Sequence, residues 1–500
     1  MTEFPTEALF DPRARPDSRL PIPPAGGGRD NDLMEPITPT APSPDAFASF
    51  RIPATDRRER VAQGKALREA TPHAALGRWE PRPNRPGVID LIEAAQHGRL
   101  PWLRGVRNAR MAASPFGMLR GSAAMMAWDV ANLPATGVQT VVCGDAHIGN
   151  IGFYRSPEGN QVIDLNDFDE AHTGCWEWDL RRLTASIWVL GRVNGATEQE
   201  CADAVAHCVV AYRDEVSFLS KQPLLWRAFD RLDVEGLHSS VTEEGLREEI
   251  ERAAVAARRR TSDRKLPKLT GGATTAAHIL NDPPLVTHPD PDEYEALADG
   301  LDAYLATLTP QWRRIVGGYT LVDIAHKVVG VGSVGLRAWV ALLCGSREDD
   351  VLFLQLKQAQ RAVLAPFVHG EHAWHDHQGQ RVVEYQQVLQ TVSDPLLGWT
   401  TVGPHQYYVR QYRNMKGGVP LDSMSPSALV DYSGVTGHLL AKGHARTSGA
   451  SIISGYLGKR ESAVDAFVAW ARGYADQTEA DHAALVAAIA SGRLPSEPGV

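Results

Sequence analysis

Between residues 141 and 170 the chain reads VVCGDAHIGNIGFYRSPEGNQVIDLNDFDE, which sets Asp145, Asp164, Asp167, Asp169 and Glu170 beside runs of buried type such as VVC and VID. A carboxylate in such surroundings is costly unless it is paired, hydrogen-bonded or protonated. Two chemistries fit the pattern. The acids are loop and cap residues at strand ends, or they converge on a cation whose charge stabilises them. A second constellation follows almost two hundred residues later, where Gly330, Gly332 and Gly335 form G-x-G-x-x-G around Ser333 and Lys357 closes the apolar run VLFLQLK.

A glycine pattern alone is weak, and its neighbours decide its meaning. In a dinucleotide-binding unit the glycines pass from a strand into a helix, whereas here they continue into GLRAWVALL, a run of strand type. A glycine-rich hairpin over phosphates, followed by a strand that carries a lysine, is instead the nucleotide grip of protein-kinase-like folds. On that reading Gly330, Gly332, Ser333, Gly335 and Lys357 contact ATP. Glu384, in the helical run GQRVVEYQQVLQ, is placed to pair with Lys357 and hold it toward the phosphates.

The elements around these residues read as follows. Residues 1–60 (PIPPAGGGRD, EPITPTAPSPD) lack apolar periodicity and are expected to be a disordered arm. From about 88 to 135 the pattern is helical, with Ser114 and Pro115 as a helix N-cap and first helical residue. TVVC and NQVIDL read as short strands on either side of the turn SPEGN, and GCWEWDLRRLTASIWVLGRV returns to helical spacing. A helix near 293–308 precedes three antiparallel strands within 319–360, with SREDD as a hairpin turn. HQYYVRQYRNMKG reads as a further strand with a polar exit, and SALVDYSGVTGHLLAKGHA as a long helix.

Composition bounds the function. At 500 residues, 43% hydrophobic and 22% charged, the chain is long enough for two or three packed units. Cys143, Cys175, Cys201, Cys208 and Cys344 include no CxxC pair, which argues against a disulfide framework or zinc ribbon and for a reducing, cytoplasmic setting. No apolar run has the length of a membrane span, and the first residues lack a secretory signal pattern. A net charge of -9 disfavours nucleic acid as a partner. A small-molecule substrate is expected, with no membrane partner and the oligomeric state left open.

The segment GDAHIGNIGFY resembles the H-G-D-L-H-P-G-N catalytic loop of aminoglycoside and choline kinase-like phosphotransferases, with Cys143 where those enzymes often carry His. VID resembles their I-D-W or I-D-F segment, and WDLRRL their W-D-L-A helix. The resemblance implies that Asp145 orients or deprotonates an acceptor hydroxyl, that His147 shapes the loop or touches phosphate, and that Asn150 and Asp164 bind Mg²⁺, with Asp167 as the alternative ligand. It also implies that Asp179 braces the catalytic loop from the following helix. The order of parts differs from that of ordinary kinases, whose glycine loop and lysine come first. A circular permutation accounts for this: the small lobe comes last in sequence and keeps its place in space.

From about 80 to 490 the chain also resembles an uncharacterised bacterial family, domain of unknown function 2252, through SPFGMLRGSA, CGDAHIGN, DLNDFDEAHTGCWEWDLRRL, KVVGVGSVG, LQLKQA, YVRQYRNMKG and YADQTEADHAAL. The expected architecture is therefore α+β, a protein-kinase-like two-lobed fold with a small antiparallel β lobe and a larger helical lobe, circularly permuted. Its parts are a helical catalytic lobe at 61–310, a β-rich nucleotide-binding lobe at 311–420, and helices at 421–500 that return to the large lobe. The expected activity is ATP- and Mg²⁺-dependent phosphoryl transfer to a hydroxyl acceptor. The alternatives are an inactive nucleotide-binding relative and a nucleotidyl (AMP) transferase on the same scaffold. A metallophosphoesterase lacks its GNHD or GNHE segment here, and a serine hydrolase lacks the G-x-S-x-G elbow.

Overall fold

The computed structural model describes residues 54–260, 270–271, 278–328, 334–347, 350–368, 375–412, 414–446 and 449–497. Residues 1–53, most of the expected arm, lie outside them; the chain is already helical from Arg57, inside the arm's expected limit of 60.

The helical body is built from both ends of the described chain. Its helices include α1 (Arg57–Ala70), α2 (Pro115–Gly121), α3 (Trp176–Val193) and α4 (Glu198–Leu219). Ser114 caps α2 as its sequence suggests, its hydroxyl accepting from the Gly117 N–H at 3.0 Å, and Thr197 with Glu200 forms a reciprocal capping box on α4. Helix α5 (Pro291–Leu305) belongs to a different core, described below. Helix α6 (Gln378–Leu389) sits between the two parts of the molecule, and α7 (Pro426–Ala445) and α8 (Glu461–Ala490) then pack back on α4 and α3. Helix α3 is buried along almost its whole length, and Trp176 and Trp188 are core residues.

Four short strands frame the acidic stretch. These are β1 (Gln139–Val142), β2 (Ile151–Arg155), β3 (Gln161–Leu165) and β4 (His172–Cys175). The hairpin around SPEGN is β2 with β3, and β1 pairs antiparallel with β4. TVVC is therefore not the hairpin partner of NQVIDL. The IGFYR run, closer in sequence, takes that place because the turn leaves it directly opposite.

Among the described residues, the second part is a six-stranded antiparallel sheet. It comprises β5 (Val286–Thr287), β6 (Thr320–Lys327), β7 (Ala338–Cys344), β8 (Val351–Gln358), β9 (Gly398–Val402) and β10 (His405–Gln411), in the spatial order β9-β10-β8-β7-β6-β5. Period-two alternation divides its faces. Trp339, Ala341, Leu343, Leu352, Leu354 and Leu356 share a core with Leu297, Leu301 and Tyr304 of α5. Phe353, Val340 and Leu342 face the other way. Helix α5 and strand β5 thus pack with the sheet, and the β-rich unit begins before the expected boundary at 311. Lys357 has the parity of Phe353, which places it on the face away from α5. It lies opposite Ala338 on one side and Tyr408 on the other.

Candidate active site

The loop after β1 is held by backbone accounting. The N–H groups of Cys143 and Gly144 donate to the Asp179 carboxylate at 2.6 and 3.0 Å, so a buried acid at the start of α3 supports the loop and stays out of the cleft. His444 lies 3.2 Å from the same carboxylate and 2.8 Å from the Tyr212 hydroxyl, forming a buried chain behind it. Gly144 has φ +74, and a side chain there would strike the Glu170 carbonyl. Further along, Ile148 N–H donates to Ser186 Oγ at 2.9 Å, and Asn150 Nδ2 donates to the Asp145 carbonyl at 2.6 Å. The loop's shape is thereby fixed.

Asp145 stands on this frame. Arg182 from α3 approaches its Oδ1 through Nε at 2.8 Å and Nη2 at 2.6 Å, while Oδ2 makes no hydrogen bond among the described residues. The side chain is 17% exposed. Burial, assisted by Asp167 and Glu170 and opposed by Arg182, pushes its pKa up to about 7. His147 is buried, its Nδ1 accepting from Gly149 N–H at 3.1 Å. Burial and the nearby Arg120 and Arg182 hold it well below the usual imidazole range, so it is neutral and shapes the loop.

The acids of 164–170 separate into distinct roles. Asp164 is 5% exposed, and its two oxygens accept from the N–H groups of Leu165 at 2.8 Å and Thr391 at 3.1 Å. The resemblance makes it a metal ligand; here each of its oxygens accepts one backbone N–H. Asp167 is 43% exposed, and its Oδ1, shielded from solvent, lacks a hydrogen-bond partner among the described residues. Asp169 receives Lys357 Nζ at 2.5 Å and the Tyr408 hydroxyl at 2.6 Å. Burial pushes Asp169 up, yet Lys357 and Tyr408 outweigh it and leave the pKa at about 2. Glu170 accepts from Val363 N–H at 2.8 Å.

Lys357 is 3% exposed and lies 3.8 Å from Asp167 as well. Burial works against its charge, and the two aspartates more than offset that and raise its pKa. The two constellations of the sequence therefore meet. Glu384, the expected partner of Lys357, does not make this contact. It receives His375 Nε2 and Gln380 Nε2, each at 2.7 Å, on the outer face of α6. The inner face presents Arg381, which donates to the carbonyls of Asp169 and Gln360 at 2.9 Å each, and to that of Ala171. Arg381, Arg182 and Tyr408 are absent from the sequence reading, although Arg182 stands in WDLRRL; Asp169 is one of its five acids, without an assigned role. Gly330, Gly332 and Ser333 lie outside the described residues. Gly335 has φ +90 and its carbonyl accepts from Leu100 N–H at 2.7 Å, which docks the end of the glycine-rich loop on the helical body.

Among the described residues, no group of three or more His, Cys, Asp or Glu is set to hold a metal on its own. No helix of those residues is long and apolar enough to cross a membrane.

A family model described as "Uncharacterized protein conserved in bacteria (DUF2252)" matches residues 99–488. The chain belongs to this family. The match begins at the Arg99–Leu100 contact with the glycine-rich loop and spans the loop at 143–150, the acids of 164–170, Lys357 and Arg381. The family thus takes in both constellations. No curated protein and no solved structure matches the chain.

Proposed function

We propose that this chain is an ATP- and Mg²⁺-dependent phosphotransferase that acts on a hydroxyl of a small-molecule acceptor. Its scaffold is protein-kinase-like and circularly permuted, with the small lobe late in the chain. The reading is carried by one observation: Lys357 meets Asp169 and Asp167 across a separation of 188 residues for the closer pair. Phosphoryl transfer asks for positioning and charge neutralisation more than for covalent chemistry. A lysine flanked by carboxylates at the junction of a glycine-hairpin sheet and a rigid acidic loop has the parts for that task.

The residues present fit a magnesium ion. Among the described residues, the shielded Asp167 Oδ1 has no hydrogen-bond partner, with Lys357 Nζ 3.8 Å away, and the Asn150 amide oxygen has none either. Magnesium takes one or two carboxylates and completes its shell with water and phosphate oxygens, so it needs no full protein cage. Bound there, it would neutralise charge on the phosphate oxygens. Lys357 would grip the phosphates, with Asp169 and Tyr408 fixing its position in place of the expected Glu384. Asp145 would accept the acceptor's hydroxyl hydrogen on Oδ2 while Arg182 anchors Oδ1, and its pKa of about 7 suits a group that receives a proton near neutral pH.

Thermal denaturation with ATP and Mg²⁺ tests this. Nucleotide at a hundred times its dissociation constant should stabilise the fold by about 2.7 kcal/mol, and a chelator should remove most of the gain. The absence of any shift at millimolar nucleotide would overturn the proposal. Product analysis separates phosphoryl from nucleotidyl transfer.

A further inference from the structure

Beside this site lies a polar recess lined by residues that include Tyr154, Asn166, Gln390, Asp394, Arg410 and Lys416. Several of its polar groups are already engaged. The Tyr154 hydroxyl donates to the Val392 carbonyl at 2.7 Å, and Gln390 Nε2 donates to the Leu165 carbonyl at 2.6 Å. Asp394, the carboxylate of the lining, accepts from Leu396 N–H at 2.9 Å and Gln411 N–H at 2.8 Å. Two cations remain. Arg410 donates through Nε to the neutral Gln355 amide at 3.1 Å and lies 5.6 Å from the Tyr408 ring. The Lys416 ammonium makes no hydrogen bond or ion pair among the described residues.

The backbone that carries Lys416 is tightly fixed. Arg155 N–H donates to the Asn414 carbonyl at 3.0 Å, Met415 N–H to the Arg260 carbonyl at 3.1 Å, and Gly417 exchanges two bonds with Phe153 at 2.8 and 3.1 Å. Between these anchors Met415 sits at φ +54, a left-handed conformation that is unfavourable for a methionine and persists where its surroundings dictate it. Burial first, and Arg410 second, hold the Lys416 pKa well below the usual lysine range, against the opposing pull of Asp394 and Asp167. A recess with a guanidinium, an amine whose protonation an incoming anion would favour, one acid already hydrogen-bonded to backbone donors, and a rigid strained support is arranged to receive negative charge.

We infer that this recess binds an oxyanion, a phosphate or carboxylate group, between Lys416 and Arg410. The site itself stands on the geometry above; only its role in catalysis rests on the proposed phosphotransferase reading, in which the anion is either a phosphate of the nucleotide or an acidic group of the acceptor.

Calorimetric titration of the full chain with inorganic phosphate tests the inference. Wild type should bind saturably, Lys416→Met should bind at least about tenfold more weakly, and Lys416→Arg should stay close to wild type. Because the Lys416 ammonium makes no hydrogen bond or ion pair among the described residues and burial disfavours its charge, Lys416→Met should fold with an unchanged or higher melting temperature. Lys357→Met should retain phosphate binding while losing that of Mg-ATP. Repeating the titration with a non-hydrolysable ATP analogue and Mg²⁺ identifies the source: competition assigns the anion to the nucleotide, and simultaneous binding assigns it to an acidic acceptor. An absence of phosphate binding to wild type, or equal affinity in Lys416→Met, overturns the site. Lys416-dependent phosphate binding without any response to nucleotide would sink the phosphotransferase reading and leave the recess standing.

Discussion

Replacing Asp145 with asparagine keeps the side chain's shape and removes its charge, which separates what the group does for the fold from what it does for chemistry. Its pKa rises from 3.8 to about 7 in the folded chain, chiefly through burial. A group with a raised folded pKa binds more protons folded than unfolded between those two values. As pH rises through that window, the native state loses stability by about 1.4 kcal/mol per pH unit, toward a ceiling of about 4 kcal/mol. The 17% of the side chain still exposed makes the true loss smaller. The protonated acid leaves Arg182 without its counter-ion just as the amide does, so the shift already includes the attraction of Arg182. Asp145→Asn should therefore match wild type near pH 4 and become the more stable protein by pH 8. Its turnover should fall by about two to four orders of magnitude above pH 7, where the wild-type carboxylate is ionised, and the gap should narrow as pH falls. In wild type, activity should rise through about pH 7 as Asp145 ionises. Urea denaturation at pH 4.5, 6 and 8, with turnover measured in parallel, reads both quantities. A variant that is less stable than wild type by the same amount at all three pH values, or one that keeps its activity, refutes the argument.

Three further substitutions probe the rest of the site. Lys357→Met leaves Asp169 and Asp167 without their cation and should cost about 3 kcal/mol in denaturant unfolding, together with at least a tenfold loss of ATP affinity; unchanged nucleotide affinity would undo the permuted arrangement. Asp167→Asn should weaken Mg²⁺-dependent ATP binding without harming stability, whereas Asp164→Asn should destabilise the fold and leave Mg²⁺ dependence nearly intact, and the reverse outcome would restore Asp164 as the ligand. Asp179→Ala removes the acceptor of two loop N–H groups and should cost about 2–3 kcal/mol with a fall in kcat larger than any change in KM; full activity in that variant would mean that the loop does not need its brace.

Much of this was readable in the chain because it follows from local periodicity. The alternation in 338–358 specifies two antiparallel strands and gives Lys357 the parity of Phe353, hence a common face. Ser114–Pro115 and the long apolar helices likewise declare themselves through caps and spacing. What escaped depends on phase and on distant partners. Glu384 and Arg381 lie three residues apart on one helix. The burial of Arg381, Val382 and Tyr385 shows that the inward face passes through the arginine. Asp164 and Asp167 look alike in sequence. The approach of Thr391, more than two hundred residues away, gives Asp164 a second backbone donor, while Asp167 faces Lys357. Strand β4, the four residues HTGC, has too little apolar content to announce itself, so the partner of β1 was not recognised.

The order of the parts along the polypeptide bears on its biogenesis. Ribosomal synthesis at about 5–20 residues per second exposes the carboxylates of 145–170 roughly ten to forty seconds before the ammonium that neutralises them is made. The nascent amino-terminal segment must therefore wait with its acids protonated, hydrated or sheltered. Helices α7 and α8, which close the bundle around α3 and α4, emerge later still. Contacts of such high sequence separation slow the search for the native state and lengthen the period of aggregation risk. Truncation before residue 426 should thus remove more than a tail: it would leave the earlier helices without the surface on which they consolidate.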